Sequence, residues 1–260
     1  MSEPSRPFVP GAALLLLLIY FAASAVVLLI GDSLSDEEVG VVFFAAAAVV
    51  APLAATYVGL IRHAPNERTS AALRVDAPHG RVYLHILLGL LCGIALAPLA
   101  TELTSRLIEL LPKDPSPDEH LTEWLASVQQ PATQVLIVLC AVTRELLFRG
   151  FMLPRLVAPA GMIRALALVS LFDLSTQPLG PALVVAVPLG LLALAARSTW
   201  PSIVASVAIL VTPFDLILPQ HDPTVLVGAA AVTAGVLALA WRLRILDPTP
   251  TEDPPAGSNA

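Results

Sequence analysis

Apolar runs about as long as a bilayer is thick recur along this sequence, and they restrict its fold more than any other feature does. Inside hydrocarbon no water satisfies the backbone, so each peptide group must bond within its own segment, which in practice means a helix of about 20 residues. Such runs cover about 8–31, 39–61, 82–100, 131–148, 164–175, 179–196, 200–218 and 225–241. The spacing predicts an all-α polytopic membrane bundle of about eight transmembrane helices. Composition agrees: 57% of the 260 residues are hydrophobic and 13% charged, and the mean hydropathy is +0.81.

The connections carry the charge. Asp32, Asp36, Glu37 and Glu38 form an acidic stretch after the first run, and Arg62, Arg68, Arg74 and Arg81 punctuate the segment after the second. Leu103, Leu107, Leu110 and Leu111 recur at helical spacing beside Glu102, Arg106 and Glu109. They predict an amphipathic surface helix within an amphipathic segment 102–128. Pro154, Pro159 and Gly161 are expected to break the chain after the fourth run. This divides the sequence into N-terminal membrane helices with the amphipathic segment (1–130), core helices (131–244) and a Pro-, Asp- and Thr-rich tail (245–260) expected to be disordered.

Arginines set the orientation. With the N-terminus in the cytoplasm and eight crossings, Arg6, the arginines of 62–81, Arg149, Arg155, Arg164, Arg197, Arg242 and Arg244 fall inside, against Arg106 and Lys113 outside. Both termini are therefore expected in the cytoplasm, and the Ala-rich, Lys-poor usage suggests a bacterial cytoplasmic membrane. The lipid bilayer is the first partner. A net charge of −6 without a basic stripe argues against nucleic acid. Cys92 and Cys140 lie within apolar runs and read as small packing residues.

The run beginning near Val135 carries Arg144, Glu145 and Arg149 where hydrocarbon is still expected. A charge near the centre of a membrane helix costs roughly 2.5–3.5 kcal/mol on insertion scales, so it usually faces the protein interior. Glu145 and Arg149 are four apart and share a helical face, with the acid on the N-terminal side. The plain reading is a helix end meeting headgroups; the sharper one is a buried polar site.

Arg144-Glu145-Leu-Leu-Phe-Arg149-Gly150 resembles the first motif, Glu-Glu-x-x-x-Arg, of the CPBP family of intramembrane endopeptidases. These are CAAX prenyl proteases of the type 2 kind and bacteriocin-processing or immunity proteins. Arg144 stands where the family carries its catalytic Glu. The second motif, Phe-x-x-x-His, aligns with Phe172 to Thr176, and Thr176 replaces the His. Thr199-Trp200-Pro201 resembles the approach to the third motif, His-x-x-x-Asn/Asp, whose two positions read Ser206 and Leu210. The resemblance covers about 131–215. It implies a membrane-buried pocket opening toward the cytoplasm, built around Glu145 and Arg149, that accepts a hydrophobic or prenylated peptide.

The residues present bear poorly on hydrolysis. Making water nucleophilic takes a base or a metal, and a catalytic zinc takes about three protein ligands. Of the motif positions only Glu145 is such a ligand. A carboxylate beside two arginines is held ionised and paired, which makes it a poor base. No cofactor is expected; zinc enters only if an active site survives on displaced residues. His63, His79, His120 and His221 fall in loops, and His85 begins the third run as a helix-end or interface residue. Ser175, Thr176 and Ser206 lack an activating His and a Gly-x-Ser-x-Gly turn. The expectation is a catalytically inactive CPBP-like protein binding a partner membrane helix, lipid or hydrophobic peptide. An active endopeptidase with a displaced site and a small transporter-like bundle remain alternatives. Within the inactive reading, the Arg144 guanidinium is expected to supply the positive charge of the pocket to Glu145 and Asp173, or else to snorkel to the headgroups.

Overall fold

A computed structural model describes residues 8–34, 37–76, 82–110, 131–175, 179–211 and 223–246. It is all-α. Helix α1 is Pro10–Leu34, α2 Glu37–His63 and α4 Val82–Leu110, with a single turn, α3 Thr69–Ala72, between the last two. Helix α5, Pro131–Glu145, runs into a π-helical segment, Leu146–Met152, and on into α6, Leu153–Ala160. Helices α7 Met162–Ser175, α8 Leu179–Ala196, α9 Trp200–Val211 and α10 Pro223–Leu246 follow.

Among the described residues four helices are long and apolar enough to cross a membrane: Pro10–Ile30, Ala46–His63, Tyr83–Leu103 and Pro223–Arg244. Eight such helices are not found. The continuous helical rod 131–160 carries Arg144, Glu145, Arg149 and Arg155. Helix α7 has 14 residues, about 21 Å at 1.5 Å per residue, against about 30 Å of hydrocarbon. The apolar parts of α8 and α9 are the shorter stretches Val184–Ala196 and Trp200–Leu210.

Three local expectations differ from what is observed. The acidic stretch does not lie wholly in a loop: α1 reaches Leu34, and α2 starts at Glu37. Acids in a first turn suit the positive end of the helix dipole. The amphipathic segment does not begin a separate helix, because α4 continues unbroken to Leu110 and carries an i,i+4 Glu102–Arg106 pair at 2.8 Å. Its remainder, 111–130, lies outside the described residues. Pro154 does not end its helix. It sits in the first turn of α6, directly after the π segment, where helical N–H groups often lack an α-type partner and a missing one costs little. The break falls instead at Gly161, whose φ of 80° favours glycine. Helix α10 continues through residues 245 and 246, and the rest of the tail, with His79, His120 and His221, lies outside the described residues.

Two apolar clusters organise the bundle. One joins α1, α2, the π segment, α6 and α7 through Leu16, Ala55, Phe148, Phe151, Leu156 and Val169. The other joins α4, α8, α9 and α10 through Leu88, Leu96, Leu189, Leu192, Ala205 and Ala240. Within the second, α4 and α9 approach backbone to backbone. A Cβ on Gly89 would fall within 3.0 Å of the Pro201 backbone, and one on Gly93 would meet both the Ala205 backbone and the Ala208 Cβ. Gly89-x-x-x-Gly93 against Pro201-x-x-x-Ala205 is the small-residue spacing that lets apolar helices touch without a hydrophobic driving force. The spacing is legible in the sequence, although hydropathy alone passes over it.

Helix ends gather at one end of the bundle. Phe8, just before α1, meets the His63 ring at the end of α2 edge-on at 5.1 Å and the Phe151 ring at 5.7 Å. Residues 72–75 insert beside the start of α9. The Thr199 hydroxyl donates to the Leu73 carbonyl at 2.7 Å, the Thr199 amide to the Arg74 carbonyl at 3.1 Å, and the Trp200 indole N–H to the Val75 carbonyl at 3.4 Å. Arg155 holds the same segment from the other side. It donates to the Ala72 carbonyl at 2.8 Å and pairs with Glu67 at 2.7 Å, its guanidinium lying over the Phe151 ring.

Candidate functional site: a buried four-charge cluster

Among the described side chains of 131–160 the exposed ones, Val135, Leu139, Ala158 and Pro159, are apolar, while Arg144, Glu145 and Arg149 turn to the bundle interior. The π segment arranges how they do so. One extra residue per turn widens the helix from Leu146 to Met152, and such bulges often sit at functional positions. Arg149 lies in the middle of it, with a side chain that is 0% exposed. Gly150 follows because the Leu73 carbonyl comes to 2.7 Å, and Thr199 Oγ1 to 3.0 Å, of where a Cβ would be. The Arg-Gly pair of the motif is thus explained locally: the arginine turns inward, and the glycine admits the 72–75 segment.

Arg149 binds both acids of the site. Its Nη2 donates to Asp173 Oδ2 at 2.5 Å and to the Ala186 carbonyl on α8 at 3.3 Å. Its Nη1 stands 3.2 Å from Glu145 Oε1, close enough to ion-pair but off the hydrogen-bond line. Arg144 Nε reaches the other oxygen of Asp173, Oδ1, at 3.0 Å, also off-line. Among the described residues the cluster therefore holds two guanidiniums and two carboxyl groups, whose formal charges cancel. Glu145 is 0% and Asp173 1% exposed, and only Arg144, at 14%, touches the outside. Ser202 on α9 is fully buried beside Glu145 and donates to the Thr199 carbonyl at 2.9 Å.

Placed against the sequence, the cluster unites Arg144, Glu145, Arg149 and Asp173. Arg144 takes Asp173, whereas Glu145 takes Arg149. Ser206 is buried one turn along α9 from Ser202, with no polar bond to the charges among the described residues. Leu210 is 50% exposed and belongs to the outer surface of α9. Thr176 and Asp215 lie outside the described residues. Ser175 donates to the Phe172 carbonyl at 2.6 Å, a local helix-end bond. The sequence reading missed Ser202 and the Ala186 carbonyl. The first had a signal, a serine one turn before Ser206 on the same face; a backbone acceptor on another helix had none.

The donor set does not suit a metal. Among the described residues no three His, Cys, Asp or Glu side chains gather to hold an ion. Both carboxylates of the cluster face guanidiniums, whose charge would repel a cation. Comparison with known proteins finds no matching family, no matching curated protein and no matching solved structure. The fold and site define an all-α protein with four candidate membrane spans and a neutral charged core.

Proposed function

We propose that this chain is a non-catalytic membrane protein of CPBP-like architecture, in which the pocket of an intramembrane endopeptidase has become a structural ion-pair network. In this reading the rod 131–160 and the shorter helices α7, α8 and α9 cross the membrane beside the four long spans, for eight crossings, with both termini on the arginine-rich, cytoplasmic side. The protein's role is then to bind a partner membrane helix, lipid or hydrophobic peptide.

One observation carries the reading: Arg149 engages Glu145 and Asp173 together, while Arg144 pairs with the second carboxylate oxygen of Asp173. A hydrolytic carboxylate must be at liberty to take a proton from water. Here both acids answer guanidiniums and are shut off from solvent. The decisive experiment is peptide cleavage by the full-length protein in proteoliposomes, using prenylated CAAX peptides and hydrophobic leader peptides, with Glu145→Ala and chelator arms. The expected result is no turnover above protein-free vesicles. Turnover abolished by Glu145→Ala would overturn the reading in favour of an active enzyme. Ion-dependent solute uptake into the same vesicles would overturn it in favour of a transporter.

A further inference from the structure

The end of the bundle where the helix ends gather carries a second charge cluster, and this one is not neutral. The Arg74 backbone lies against the start of α9, its carbonyl accepting from Thr199 N at 3.1 Å and Ser198 Oγ at 3.4 Å. Arg197 immediately precedes that serine. Arg244, near the end of α10, donates to the Leu194 carbonyl at 2.9 Å in the last turn of α8 and stacks over the Trp241 ring at 4.8 Å. Burial, together with the nearby charges of Arg155, Arg244 and Arg197, holds the Arg74 guanidinium below its ordinary range.

Arg155 is neutralised by Glu67. Among the described residues the guanidiniums of Arg74 and Arg197 have no carboxylate within ion-pair distance, and the other acid of this end, Asp76, is exposed and in no ion pair. Among the described residues Arg74 and Arg197 are also the two non-glycine residues with left-handed backbones, at φ 55° and 53°. Arginine has no intrinsic reason to adopt that conformation. Both arginines follow a helix end, where a left-handed cap is common, and the caps set them side by side without a neutralising acid, a repulsion that a bound anion relieves.

From this juxtaposition we infer that Arg74, Arg197 and Arg244 form a binding site for the phosphate of an anionic phospholipid headgroup. The phosphate oxygens accept from guanidiniums that fit them geometrically. The lipid source, in preference to a soluble phosphate, follows from the surroundings. The cluster caps the membrane-length apolar helix Pro223–Arg244, whose flank exposes Leu239. It also lies beside Trp200, 36% exposed, and Trp241, the amphipathic rings that favour the membrane–water interface. Basic pockets between helices on the arginine-rich face are a recurring headgroup site. The inference does not depend on whether the Glu145 site is catalytic.

The test uses the full-length protein in neutral detergent, with binding read as a saturable rise in melting temperature. Short-chain phosphatidylglycerol should stabilise it, and short-chain phosphatidylcholine should not. Arg197→Gln, and the double variant with Arg74→Gln, should weaken the phosphatidylglycerol response, the double variant by about tenfold or more in apparent Kd. Arg197 is exposed and among the described residues pairs with no carboxylate, so its single variant remains informative if the double variant folds poorly. Arg164→Gln, an exposed arginine outside the cluster, should leave the response intact. Equal responses to the two lipids, an unchanged response in Arg197→Gln, or equal weakening by Arg164→Gln would each overturn the inference. Inorganic phosphate reproducing the full shift at matched ionic strength would overturn the lipid assignment in favour of a soluble phosphate.

Discussion

Replacing Arg149 by methionine, a side chain of similar length without charge, separates the four-charge core from an incidental set of contacts. Arg149 bridges Glu145 and Asp173 and is shut off from solvent. Its removal takes the guanidinium from two buried carboxylates, and among the described residues Arg144 ion-pairs with Asp173 and not with Glu145. Breaking a buried pair by removing one partner costs about 3–5 kcal/mol, because the uncompensated charge stays behind. For a chain of this size each kcal/mol moves the melting temperature by roughly 2–4 °C, so the expected loss is roughly 6–20 °C. Arg144→Ala should cost less, about 1–3 kcal/mol: its side chain is partly exposed, and both acids keep Arg149. Adding Glu145→Gln to Arg149→Met restores neutrality, with Arg144 and Asp173 left as a pair, and should recover part of the loss as a non-additive coupling. The assay is thermal unfolding in detergent followed by tryptophan fluorescence. If Arg149→Met melted within about 2 °C of the parent, or if Arg144→Ala cost more than Arg149→Met, the core would not be the ion-pair network described.

Other outcomes follow from the same geometry. Gly93→Leu, which drives a side chain into the Ala205 backbone, should separate α4 from α9 and destabilise by about 1–3 kcal/mol or more, whereas Gly228→Leu, where nothing lies within 4 Å, should be near neutral by the same melt. Thr199→Val leaves the buried Leu73 carbonyl without its hydroxyl donor and should cost about 1–3 kcal/mol, read by the same melt and by faster proteolysis within 64–76. Peptide turnover should be absent from parent and Glu145→Ala alike. Phosphatidylglycerol should stabilise the parent and stabilise Arg197→Gln less.

Much of the helical content was legible in the sequence, because transfer from water to hydrocarbon is a local property that sums along a run. The same property marked Arg144, Glu145 and Arg149 as out of place within an apolar stretch, and the i,i+4 spacing put Glu145 and Arg149 on one face. Boundaries were less legible: α4 runs past the residue where its composition changes, and α6 passes through Pro154, because helix continuity depends on which backbone groups already lack partners.

What the sequence by itself determined is that this chain is helical, that it is apolar enough to enter a membrane, and that a few charges inside it need partners. Which partners they take was decided by tertiary structure alone. Asp173 on α7 serves both Arg144 and Arg149, the Ala186 carbonyl on α8 takes another donor of Arg149, and the Leu73 carbonyl packs against Gly150. Desolvation is a cost each residue carries individually and can be read one position at a time. Its relief is a distance between atoms far apart along the chain, and only the packed helices set that distance.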